Sequence, residues 1–167
     1  VSINRFYVQG AIYDEFATKL ADQVSKLIVG DGMDEKTQIG PLINTSAVNK
    51  VQKHLEDAID HGAQVITGGR HLEGNFFEPT VLINVAKDSL IAHEETFGPL
   101  CALFKFNTEE EAIQLANDTP YGLAAYFYSE NIRRCHRVSE ALEAGMIGIN
   151  TGLLSNASAP FGGVKQS

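Results

Sequence analysis

Apolar positions along the chain change period repeatedly, and each change predicts an element. Arg5 to Val8 reads as a short strand, after which Ile12, Phe16, Leu20, Val24 and Leu27 recur three or four residues apart and form one face of a helix. Gly30 and Gly32 are expected to stop that helix. A second helix is predicted from about Thr45, with Val48, Val51, Leu55 and Ile59 inward and Gly62 just past its end, followed by a strand from Ala63 to Thr67. Phe76 to Val85 is rich in β-branched and aromatic residues but contains Pro79, which cannot donate to a ladder, so an edge or irregular strand is predicted there.

Leu100 to Phe106 is a cleaner strand. Thr108 followed by Glu111 forms a capping box, in which the hydroxyl accepts from an early helical amide and the carboxylate reaches back; the helix that follows should turn Ala112, Leu115 and Ala116 inward. After Pro120-Tyr121-Gly122, Ala124 to Tyr128 reads as a strand, Ile132 to Leu142 as a helix with Ser129 as its cap, and Gly145 to Asn150 as a strand. From Thr151 the chain becomes a loop rich in Gly, Ser and Asn. Parallel neighbours need crossovers, which helices supply, so this alternation predicts an α/β fold: an open, mostly parallel twisted sheet with helices on both faces. No repeat or low-complexity tract divides residues 1–167, which read as one domain.

Composition narrows the partners. Thirteen Lys and Arg against twenty-one Asp and Glu give a formal charge of −8, which opposes condensation onto phosphate backbones, so nucleic acid is not an expected partner. The longest apolar runs fall far short of the roughly 20 residues that span a bilayer, and no basic segment leads into an apolar one, so no membrane association is expected. Cys101 and Cys135 form no CxxC pair and read as buried thiols in a reducing compartment, which points to the cytoplasm.

Several familiar motifs fail. Neither GxGxxG nor GxxxxGKS/T occurs, and Gly30 and Gly32 follow a helix rather than a strand, as a helix stop does and a phosphate cradle does not. His93-Glu94 begins like the zinc motif HExxH, but Phe97 stands where the second histidine belongs, so no metal site is expected. No GxSxG elbow is present, and His54, His61, His71 and His136 read as surface or satisfied core residues. Asn44-Thr45-Ser46 and Asn156-Ala157-Ser158 fit the glycosylation triplet only by chance, Asn44 or Thr45 serving better as a helix cap.

Two stretches carry chemistry. Glu94-Glu95-Thr96-Phe97-Gly98-Pro99 sets paired carboxylates beside an aromatic residue and a rigid turn; a carboxylate can accept both hydroxyls of a ribose diol, and an aromatic ring can pack on a flat one. The loop from Asn150 to Lys165 follows a strand, where open α/β sheets tend to hold ligands.

Together these stretches resemble the aldehyde dehydrogenase superfamily, and the resemblance runs the length of the chain. Val1 to Gln9 is similar to the segment that follows that family's catalytic cysteine, and Ile39 to Ile43, Gly74 to Thr80, Glu94 to Pro99, Tyr121 to Leu123 and Pro160 to Lys165 match family motifs in family order. His93 to Leu100 and Gly152 to Ser155 resemble the succinate-semialdehyde subgroup most. The resemblance implies an NAD- or NADP-dependent oxidation of a small aldehyde to the acid, with Glu95 on the nicotinamide ribose and Phe97 near the nicotinamide. It likewise implies Phe161 beside the aldehyde pocket and Ser155 binding the substrate's distal carboxylate.

By the same resemblance the nucleophilic cysteine falls immediately before Val1. The general-base glutamate, the cofactor-binding N-terminal domain, a basic partner for the substrate carboxylate and a C-terminal tail also lie outside these residues. The chain is then a partial catalytic domain spanning 1–167, with no catalytic residue of its own. Cys101, in a strand pattern, and Cys135, on an apolar helix stripe with Ile132, Val138 and Leu142, are not expected to substitute. Alone, it is expected to be inactive and to bind cofactor weakly or not at all. The alternative is a non-catalytic truncated homologue that self-associates, or binds a partner, through an exposed sheet edge. The choice between NAD and NADP stays open.

Overall fold

The computed structural model describes residues 3–167, which divide into two compact units, residues 3–106 and residues 107–167. In the first unit, strands β1 (Arg5–Gln9), β2 (Gln64–Thr67), β3 (Thr80–Ile83) and β4 (Leu100–Phe106) form one sheet in the order β1-β4-β3-β2. The β1–β4 and β3–β4 pairs are parallel, and β2 runs antiparallel to β3.

Alternation along these strands sends side chains to two cores. On one face Tyr7, Leu82, Leu100, Ala102 and Phe104 pack with Val48, Val51, Leu55 and Ala58 of α2 (Thr45–Asp60) and with Ile91 and Ala92 of the short α3 (Leu90–His93). On the other, Phe6, Val8, Val81, Ile83, Cys101 and Leu103 meet Tyr13, Ala17 and Val24 of α1 (Tyr13–Val24). Helices therefore cover both faces of an open, mostly parallel sheet, as the period changes predicted. The buried Tyr13 hydroxyl ties its face together, donating to the Leu103 carbonyl at 3.0 Å and accepting from the Asn84 amide at 2.9 Å.

Several local expectations shift. Helix α1 ends at Val24, well before Gly30, because Ser25 and Leu27 close the last turn onto Ala21 and Val24; Leu27 still packs on the core from that turn, while Ile12 precedes the helix and is exposed. In α2 the inward stripe includes His54 and Ala58, and Ile59 points out at 45% exposure. The strand containing residues 80–83 is interior, not an edge: Pro79 lies just ahead of it, so no ladder donor is lost, and the Thr80 amide donates to Pro99.

In the second unit β6 (Ala124–Phe127) and β7 (Met146–Ile149) pair in parallel, crossed over by α5 (Ile132–Ala141). Helix α4 (Glu109–Asn117) leads into β5 (Tyr121–Gly122), which pairs antiparallel with β8 (Val164–Lys165), a strand the sequence pattern did not mark. Thr108 caps α4 as expected, accepting from the Glu111 amide at 3.2 Å, but the Glu111 carboxylate accepts from Asn107, one residue ahead of the cap. Ala112, Leu115 and Ala116 are half-buried. The cap of α5 is Asn131, whose side chain accepts from the Arg134 amide, because Ser129 is spent accepting from Asn131 itself.

Candidate functional site

Glu95 and Phe97 stand on the connection from α3 to β4, which is braced from two sides. Its backbone is held from the β1 side, where the Asn4 side chain accepts from the Thr96 amide at 2.9 Å and donates to the Glu94 carbonyl at 3.1 Å. From α2, the imidazole of His54 sits between the Thr96 hydroxyl, 3.0 Å from Nδ1, and the Glu94 carboxylate, 3.1 Å from Nε2. An ionised carboxylate only accepts, so Nε2 carries the proton and donates to Glu94, and in the neutral ring Nδ1 accepts from Thr96. Asp57, one turn further along α2, accepts from the Leu90 amide at 2.6 Å.

Thr96 is thus buried and bonded on both sides, and its neighbours Glu95 and Phe97 are turned outward. Phe97 is 73% exposed and sits at a φ of 49°, a left-handed conformation that a bulky residue adopts only when its surroundings impose it. Gly98 follows because the backbone there runs against Val51: a Cβ at this position would collide with the Val51 Cγ2. An acceptor and an aromatic face are displayed on a turn whose backbone is over-determined.

Ser155 and Phe161 share the loop from Thr151 to Gly163 in the second unit, both exposed, Phe161 at 60%. The ends of this loop are pinned. At its start Asn150, with φ at 55°, exchanges two side-chain hydrogen bonds with the Ser129 backbone. At its end the Lys165 ammonium donates to the carbonyls of Asn117 and Thr119 and pairs with Glu143. Gly145 and the 162–163 backbone approach too closely for any side chain at 145, which seats the loop's closing segment. Within the loop, Asn156 accepts from the Ser158 amide at 2.9 Å and shapes a turn next to Ser155.

Neither thiol is exposed. Burial pushes the half-buried Cys101 up in pKa, and Cys135 is buried with its Sγ 3.5 Å from the Ser129 carbonyl. Among the described residues no cluster of His, Cys, Asp and Glu is set to hold a metal ion. A cleft of about 610 Å³ between α2 and the turn at Gly69–His71 contains none of the predicted site residues.

The model of the aldehyde dehydrogenase family matches residues 1–167. The chain belongs to the aldehyde dehydrogenase family. Among aldehyde dehydrogenases it is similar to the glutarate-semialdehyde dehydrogenase of Pseudomonas putida, 58% identical over 167 residues that make up 100% of this chain and 35% of that protein. It is 54% identical over 169 residues to the NADP(+) succinate-semialdehyde dehydrogenase of Escherichia coli K12, again covering 100% of this chain and 35% of the relative. The crystal structure of succinate-semialdehyde dehydrogenase from Burkholderia pseudomallei superposes with a TM-score of 0.96 at 58% identity, over 98% of this chain and 34% of that one. The chain spans about a third of the length of these relatives.

Several of the stretches that resemble aldehyde dehydrogenase motifs lie at connections and short pairings, although Val1 to Gln9 takes in all of β1. Glu94 to Pro99 joins α3 to β4, Tyr121-Gly122 is β5, and Pro160 to Lys165 runs into β8. Of the supporting residues, His54 and Asp57 were not marked by the sequence as parts of a site, and Asn4 and Asn150 entered only as members of longer stretches. For His54 one signal existed: it shares the helical stripe of Val51, Leu55 and Ala58, where an imidazole needs partners.

Proposed function

We propose that this chain forms part of an NAD(P)-dependent semialdehyde dehydrogenase acting on a short aldehyde with a distal carboxylate. The observation that carries this reading is the braced turn at residues 94–98, which holds Thr96 inward and displays Glu95 and Phe97. The cofactor fits the donor set: the exposed Glu95 carboxylate suits a ribose diol, and the exposed Phe97 ring offers a flat apolar face. When bound, a nicotinamide cofactor supplies a hydride acceptor.

Each residue then has a positional role. Glu95 fixes the ribose, and Phe97 limits the space around the nicotinamide ring. In the loop pinned by Asn150 and Lys165, Ser155 donates its hydroxyl to the distal carboxylate and Phe161 lines the path of the aldehyde chain. The names of the relatives, glutarate- and succinate-semialdehyde dehydrogenase, support an ω-carboxy aldehyde as the substrate class.

The test is a chimera in which this chain replaces the matching third of the Escherichia coli succinate-semialdehyde dehydrogenase. Semialdehyde-dependent reduction of NADP(+) is the expected result. A folded chimera that binds no cofactor and turns over no semialdehyde would overturn the reading. A second reading, self-association, draws on β2, which lies at the margin of its sheet with Val65 and Ile66 each 37% exposed.

A further inference from the structure

His54 is fully buried, yet both of its ring nitrogens are used by the segment that carries Glu95. It is part of a longer register. Val51, His54 and Asp57 recur every three residues on one face of α2 and meet, in turn, Gly98, then Thr96 with Glu94, then Leu90. Helix α3 and the connection that leads from it to β4 therefore run antiparallel along that face, and His54 holds the middle. The imidazole grips the residues on either side of Glu95, Glu94 through its carboxylate and Thr96 through its hydroxyl.

We propose that His54 is a positioning residue for cofactor binding: by clamping Glu94 and Thr96 it holds the intervening backbone so that Glu95 faces outward toward the ribose. This rests on the reading of Glu95 given above. A fully buried imidazole with only a packing role needs its nitrogens satisfied, but not by the two neighbours of one exposed carboxylate. The clamp is divisible. Asn at 54 can keep an acceptor where Nδ1 stands and lose the reach to Glu94, whereas Gln can keep a donor where Nε2 stands and lose Thr96.

Hydrogen exchange on the 167-residue chain tests the clamp directly. His54→Leu is expected to speed exchange of the amides at 94–98 by about tenfold or more, with the amides of β4 at Ala102 to Phe104 changing by less than about threefold. His54→Asn and His54→Gln should fall between Leu and the parent, which covers the case in which the Leu variant fails to fold. Thr96→Val should loosen the same amides and combine non-additively with His54→Leu. An equal rise in β4, or no change at 94–98, would overturn the clamp.

In the chimera, His54→Leu should raise the KM for NADP(+) several-fold, with Gln and Asn restoring part of the loss and kcat changing less than KM. If Glu95→Gln raises that KM and none of the His54 variants does, the positioning role fails while the ribose assignment stands. If Glu95→Gln leaves it unchanged, the ribose assignment itself fails.

Discussion

At the scale of single residues, the turn at 94–98 depends on what each position cannot accept. Gly98 has no room for a Cβ against Val51, a β-branched residue held in one rotamer by its helix, so Gly98→Ala is expected to destabilise the first unit by about 1–3 kcal/mol. Adding Val51→Ala should recover part of that loss, and thermal denaturation of the two single variants and the double variant measures the coupling. Glu95 is a different case because it is exposed, and its substitution is expected to leave the fold intact. Glu95→Gln in the chimera should weaken NADP(+) binding by about tenfold or more, the value of a hydrogen-bonded charge, with little change in unfolding temperature. A fall in stability with unchanged cofactor affinity would assign Glu95 to structure instead.

At the scale of elements, ion pairs and caps decide how segments dock. Glu109, at the start of α4, accepts from Arg134 and from both Nε and Nη2 of Arg137 on α5 at 2.9 Å. The Arg137 hydrogen bonds, joined by that from Arg134 and the charge of both, hold its carboxyl below the ordinary value of 4.5. A depressed folded-state pKa gives stability that is present above 4.5 and lost as pH falls through the folded value. Glu109→Gln should therefore flatten the acid side of the stability profile of the second unit and leave its neutral side nearly parallel to the parent, as followed by urea denaturation across pH. Periodicity marked both helices, but nothing in it pairs Glu109 with Arg134 and Arg137, 25 and 28 positions away. The same limit explains β3: Pro79 suggests an edge or irregular strand when the run 76–85 is read alone, and only the position of the strand's first residue makes the proline harmless.

At the scale of the whole chain, the residues the sequence marked are divided between the two compact units, Glu95 and Phe97 in one, Ser155 and Phe161 in the other. The chain alone is expected to show no semialdehyde-dependent reduction of NAD(+) or NADP(+), because its thiols are half-buried Cys101, pushed up in pKa, and buried Cys135. Steady appearance of reduced nicotinamide above the rate without protein would refute this. The margin strand β2 makes a separate prediction. Ile66→Lys should lower the sedimentation coefficient at high concentration toward that of a monomer, and identical sedimentation of parent and variant would argue against association through that edge.

By itself the sequence determined the alternation of helices and strands, the open sheet with both faces covered, and the family, because these rest on local period and on motifs whose order survives linear reading. It also marked Glu95, Phe97, Ser155 and Phe161 as candidates, since each belongs to a contiguous motif. Only the tertiary structure decided what holds them. Asn4 reaches Thr96 across 92 positions and His54 reaches it across 42, and contacts at such separation leave no trace in any local pattern. His54 is legible as a polar residue on an apolar stripe; that its partners flank an exposed carboxylate is fixed by the path of a connection folded back along α2.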